Sequence, residues 1–243
     1  MNKIFKNTNL MIFLLVAIVI VTNIIIIYTC TYTFSSKERT VQEVTVKDIS
    51  QKSPIVVEAL EENEENLEEI YPTGTTKYYI KVNCKSQTVN VYEKDENNKY
   101  SKPVKVMLCS TGVETPKTGV YKITSFKQEW LGLQGNVYGQ YCTQIVGNIL
   151  FHSVPYIEKN NPSSLEYWEY DKLGEEASLG CIRLTVESAK WIFDNCETGT
   201  QVEFYSSEDP GPLGKPETQK ISDYSEELKN WDPTDEKQEN PWI

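Results

Sequence analysis

A chain of 243 residues has room for one or two domains with a sizeable core. Its formal net charge of -11 excludes a nucleic-acid binder that relies on a basic stripe. A single histidine excludes a His-rich metal centre, and the six cysteines show no zinc-like spacing.

From the N-terminus, residues 10–28 are almost unbroken apolar sequence, interrupted only by Thr22 and Asn23. That length spans a bilayer core as a helix. Lys3 and Lys6 precede it, which places the N-terminus in the cytoplasm and everything after the span outside the cell. No small residues stand where a signal peptidase would cut, so residues 1–30 read as a retained signal anchor in the cell membrane. Residues 31–76 form an acidic stalk. Within it Ser53-Pro54 opens a short amphipathic helix along Val56, Leu60, Leu67 and Ile70.

At Tyr78 the period becomes alternating. Ile80 and Val82, then Val89 and Val91, then Val104, Val106 and Leu108 read as three strands. Residues 119–123 leave a turn as a further strand, and residues 147–151 lead as a strand into His152. Thr185 caps a helix whose apolar face is Val186, Ala189, Ile192, Phe193 and Cys196, and residues 202–205 alternate again. Cys84, Cys109, Cys142 and Cys196 fit as small buried hydrophobes better than as a disulfide framework. Residues 207–243 open as a Pro/Gly linker and form a tail for which docking through Trp231 is expected.

The chemistry-bearing residues are His152 and the block Ser178-Leu179-Gly180-Cys181-Ile182-Arg183. Any Cys–His site in this chain must use His152. Only Cys181 among the cysteines follows a Ser-x-Gly, where the backbone can turn sharply and bring its amides close to a reacting carbonyl. An imidazole beside a thiol lowers its pKa, and a thiolate–imidazolium pair is the expected nucleophile. Taken alone, His152 also reads as a satisfied histidine at a strand end, and Arg183 as one half of a structural ion pair.

His152, Ser153, Ser178, Gly180, Cys181 and Arg183 together resemble the active-site signature of the YkuD-type L,D-transpeptidases. Thr111-Gly112 and residues 115–119 resemble that family's substrate-side turn. The similarity covers Lys77 to Tyr205, within a catalytic domain of residues 77–206. Leu179 stands where the family usually has a second histidine, and the spacer between His152 and Ser178 is longer than usual. The resemblance implies a mainly β, sandwich-like fold with at least one packed helix and no cofactor. It implies Cys181 as nucleophile, His152 as base, and Gly180, Ser153 and Ser178 as oxyanion or orienting residues. Arg183, Tyr138 and Tyr141 are then substrate contacts. The implied reaction is thioester formation on a peptidoglycan stem peptide, resolved by an acceptor stem amine into a 3-3 cross-link. β-Lactams, carbapenems above all, would acylate the same thiol. Three readings stay open beside it: an L,D-carboxypeptidase using the same site, a non-catalytic wall-binding module, and a sortase, which places its Arg much further after its Cys.

The long segment between His152 and Ser178 carries Tyr156, Tyr167, Trp168 and Tyr170 among many carboxylates. Long loops in compact domains are often active-site lids, so this one is expected to fold over Cys181 and to offer its carboxylates to an incoming ammonium.

Overall fold

The computed structural model describes residues 72–243. The membrane-span and stalk expectations lie outside the described residues. No helix among the described residues is long and apolar enough to cross a membrane.

Nine strands and three short helices make up the domain. The strands are β1 (Tyr78–Asn83), β2 (Thr88–Glu93), β3 (Lys102–Leu108), β4 (Gly119–Lys122), β5 (Lys127–Leu133), β6 (Val137–Val146), β7 (Ile149–Ser153), β8 (Ile182–Leu184) and β9 (Gln201–Tyr205). The helices are α1 (Tyr167–Tyr170), α2 (Val186–Asn195) and α3 (Glu226–Lys229). Five strands form one sheet in the order β3-β2-β1-β9-β4, and four form a second in the order β5-β6-β7-β8.

Alternation explains the first sheet. In β1, Ile80 pairs across to Val91 and Val202, and Val82 to Val89 and Phe204, so two apolar rows cross three neighbouring strands on one face. That face shares a core with Ile145, Phe151, Ile182 and Leu184 of the second sheet and with Ala189, Ile192 and Cys196 around α2. Each fully buried Val, Ile or Phe there contributes about 1.5–3 kcal/mol of transfer free energy. The strands expected at residues 80–82, 89–91, 104–108, 119–123 and 202–205 are present. Phe193, expected on the buried face of α2, is instead half-buried against Tyr141.

The β5–β6 hairpin has no counterpart in the sequence-based strand assignment. Its pairing keeps one register from Leu133↔Val137 to Lys127↔Thr143, but β6 shifts register against β7 between Gln144 and Val146. A bulge of this kind breaks the two-residue period that marks a strand in sequence.

The segment after β7 does not form the expected lid. Its apolar residues turn inward instead: Tyr156, Leu165, Tyr170 and Leu173 join Val154, Leu108, Val186 and Ile221 in a second core. Hydrophobic burial outweighs any advantage of standing over a cleft, and two of its carboxylates are taken up in ion pairs. Glu169 engages Arg183 and Lys172, and Glu176 engages Lys117.

The tail is docked along its length. Asn83 and Asn90 donate to the Asp209 and Pro210 carbonyls, and Ile221 (0 % exposed) and Trp231 (9 %) are buried. Its far end caps α2. The Val186 amide donates to Asp232 Oδ2 (2.9 Å), the Glu187 amide to Thr234 Oγ1 (3.1 Å), and the Ser188 amide to the expected cap, Thr185 (3.3 Å). Three otherwise orphaned helix donors are thereby satisfied, and a carboxyl group lies at the positive end of the helix dipole.

Candidate active site

Parallel pairing of β7 with β8 brings the chemistry together. Phe151 lies opposite Ile182 and His152 opposite Arg183, so Cys181, one residue before β8, falls beside Leu150 at the strand ends. His152 is 2 % exposed. Its Nδ1 is 2.5 Å from the Ser153 carbonyl oxygen. A carbonyl only accepts, so Nδ1 carries the hydrogen and Nε2 keeps its lone pair, the tautomer a proton acceptor needs. The ring lies against β6, where a Cβ added to Gly139 would come within 3.1 Å of His152 Cγ and Nδ1. Only glycine leaves that space.

Burial pushes the His152 pKa down to about 4, reinforced by the Arg183 charge and opposed by the bond to Ser153. Burial also pushes the Cys181 thiol up, while the Leu150 amide and Arg183 act to lower it. The thiol donates to the Asn148 carbonyl (3.3 Å). Both shifts favour a neutral thiol and a neutral imidazole over the expected thiolate–imidazolium pair, because both charged forms would have to be desolvated.

The loop before Cys181 is held from one side by residues 111–115. Thr111 accepts from the Ala177 and Ser178 amides (3.0 and 3.1 Å), and the Glu114 amide donates to the Leu179 carbonyl (2.7 Å). Thr115 Oγ1 donates to the Gly180 carbonyl (2.6 Å) while accepting from the Gly112 amide (2.8 Å). Gly112 must be glycine, since a Cβ there would sit 2.3 Å from the Ser178 oxygen. Ser178 Oγ closes the loop onto the Cys181 carbonyl (2.6 Å). With the backbone pinned this way, the Gly180 and Cys181 amides donate to no acceptor among the described residues.

A cavity of about 390 Å³ opens over these groups. Cys181, His152, Gly180, Ser178, Leu179 and Arg183 line it from one side, and Glu114, Phe126, Leu131 and Val137 are among the residues that complete the wall. Leu179 is 56 % exposed there. From residues 154–177 only Pro155 reaches the cavity. Ser153 is buried behind the histidine, its hydroxyl accepting from the Gln140 amide and donating to the Val154 carbonyl. Arg183 is bound to Glu169 and donates to the Ala177 carbonyl (3.1 Å). Tyr138 and Tyr141 do not line the cavity: Tyr138 exchanges backbone bonds with Tyr156, and the Tyr141 ring packs edge-on against Phe193. Nothing in the sequence marks Gly139, Glu114 or Asn148 as a site residue. Thr115 is marked by the turn at residues 111–112 and 115–119, there as part of a substrate-side turn, and the structure shows it bracing the nucleophile loop.

These features define the class: a mainly β, two-sheet domain in which a half-exposed cysteine and a buried histidine share one cleft. The family model described as the L,D-transpeptidase catalytic domain, YkuD, matches residues 77–204, more than half of the chain. The chain belongs to that family, as the motif resemblance implied. Over 142 residues it is 34 % identical to the Bacillus subtilis (strain 168) protein named "Putative L,D-transpeptidase YciB", covering 54 % of this chain and 68 % of that one. Among solved structures, a Clostridium acetobutylicum ATCC 824 protein described as a fused Zn-dependent amidase/peptidase/peptidoglycan-binding domain-containing protein is 30 % identical. There the match covers 56 % of this chain and 54 % of the other, with a TM-score of 0.41. The LD transpeptidase LdtMt1, solved in complex with imipenem, is 20 % identical over 53 % of this chain and 58 % of its own, with a TM-score of 0.40. The chain thus spans little more than half the length of these two solved relatives.

Proposed function

We propose that this protein is a membrane-anchored L,D-transpeptidase that remodels peptidoglycan outside the cell through a thioester on Cys181. The observation that carries the reading is the meeting of the sole histidine and Cys181 in one cavity, with His152 held in the tautomer that leaves Nε2 free. The acyl donor is a stem peptide. Nε2 takes the thiol proton as sulfur adds to the carbonyl at the L-centre of the third residue. That proton then goes to the leaving D-alanine amine as the C–N bond breaks. The Gly180 and Cys181 amides, uncommitted among the described residues, receive the oxyanion in this reading. A stem amine resolves the thioester to a 3-3 cross-link, and water in its place gives the carboxypeptidase reaction. A β-lactam carbonyl meets the same thiol and base, so a carbapenem is expected to acylate Cys181. The apolar run at residues 10–28, with Lys3 and Lys6 before it, supports the anchor and the outward placement.

Intact-mass measurement after incubation with a tetrapeptide stem tests the chemistry. Wild-type protein should gain the acyl mass on the Cys181 peptide and release D-alanine. Cys181→Ala and His152→Ala should each lose nearly all of that activity, because nucleophile and base act as a unit. D-alanine release by Cys181→Ala would refute the mechanism. Protease added to intact spheroplasts tests topology, and a protected C-terminal domain would refute the outward placement.

A further inference from the structure

The cavity wall carries two charged side chains, Arg183 and Glu114. Arg183 is committed to Glu169 and to the Ala177 carbonyl. The Glu114 carboxylate makes no ion pair and no hydrogen bond among the described residues. The root of its side chain is nevertheless fixed: its amide is bonded to the Leu179 carbonyl, and its Cβ lies 3.2 Å from where a Cβ on Gly180 would stand. One residue further on is Cys181. The one charged residue of the cavity wall without a partner among the described residues is therefore negative, carried on a braced turn beside the nucleophile loop.

Resting on the thioester reading above, we propose that Glu114 is a specificity-determining residue that selects a cationic amine over water to resolve the Cys181 thioester. A primary amine of a stem side chain is an ammonium at neutral pH. The carboxylate gathers that cation at the thioester. One ammonium proton is released to solvent and the free amine adds to the carbonyl. The N–C bond forms as the C–S bond breaks. His152 Nε2 takes a second nitrogen proton and returns it to the leaving thiolate. Glu114 also offsets the positive charge that reappears on nitrogen during addition. Water brings no charge to the site before attack and gains nothing from the carboxylate as it binds.

The test uses the full-length protein acylated by a tetrapeptide donor, with the acyl-enzyme partitioned among water, a lysine-like amine and hydroxylamine, a nucleophile that is neutral at pH 7.5. Glu114→Gln should lower the amine-to-water product ratio roughly five- to tenfold, the scale of losing one partly screened charge contact. Its hydroxylamine-to-water ratio should move less than twofold. Glu114→Lys should depress the amine ratio further. An amine ratio equal to wild type in Glu114→Gln, or equal losses for amine and hydroxylamine, overturns the inference about Glu114 and leaves the thioester reading standing. Failure of the wild-type protein to form any acyl-enzyme overturns the thioester reading itself.

Discussion

His152 and Cys181 illustrate how burial decides the state of a reactive pair. Each is shifted toward its neutral form, so the thiolate fraction at neutral pH is lower than for an ordinary thiol. Alkylation of Cys181 by iodoacetamide is therefore expected to climb only in the alkaline range. A reactivity plateau already reached at pH 6–7 would indicate a resting ion pair instead. Gly139 gives a second expectation at this scale. In Gly139→Ala the added methyl meets the imidazole at 3.1 Å, and the ring is pinned by the Ser153 carbonyl. Displacing a base by a fraction of an ångström costs about ten- to a hundredfold in rate, whereas overpacking costs about 1–3 kcal/mol in stability. Rate of acylation and urea midpoint, measured side by side, should show the rate falling in a protein that still folds. Cys181 and His152 were legible in the sequence because one is the only histidine and the other the only cysteine after Ser-x-Gly. Gly139 was not, because nothing local to a glycine tells which ring will press against it.

At the scale of elements, α2 carries the consequence of the docked tail. Two of its first three amides are capped by Asp232 and Thr234, some 46 residues away in sequence. Ending the chain before Trp231 removes both caps, the buried Trp231 and the Trp242 ring packed against the second core. Loss of two caps and of a buried indole is expected to cost about 4–9 kcal/mol, read as a lowered denaturant midpoint. No change would make the tail a passenger. The long segment after His152 teaches the complementary lesson. Its length and aromatics suggested a lid, yet Tyr156, Tyr170 and Leu173 found more apolar surface to cover inward, against Ile221, than over the cleft.

For the folded domain as a whole, two buried titratable groups act in opposite directions. The His152 pKa of about 4 lies below the ordinary 6.5, so its share of stability is present above pH 6.5 and is lost as pH falls toward 4. Burial raises the Asp232 pKa to about 6 from the ordinary 3.8, so its share is present below 3.8 and is lost as pH rises toward 6. Each amounts to about 3 kcal/mol, and between pH 4 and 6 they nearly cancel. Asp232→Asn leaves the His152 slope unopposed. That variant should lose about 3 kcal/mol more than wild type on going from pH 6 to pH 4, measured by urea unfolding at both values. Parallel losses in the two proteins would show that Asp232 is not desolvated in the native state.

The sequence by itself determined the mainly β class, most of the strands in the five-stranded sheet, the helix begun by Thr185, the family, and the two residues of the candidate reactive pair. These rest on local periods, local caps and the scarcity of His, which need no knowledge of what folds against what. The tertiary structure alone decided that burial favours the neutral form of each partner, that Arg183 is taken by Glu169, that Tyr138 and Tyr141 stand away from the cavity, and that Glu114 lines it without a partner among the described residues. Desolvation, ion pairing and cavity walls depend on contacts between residues distant in the chain, and no spacing along it records them.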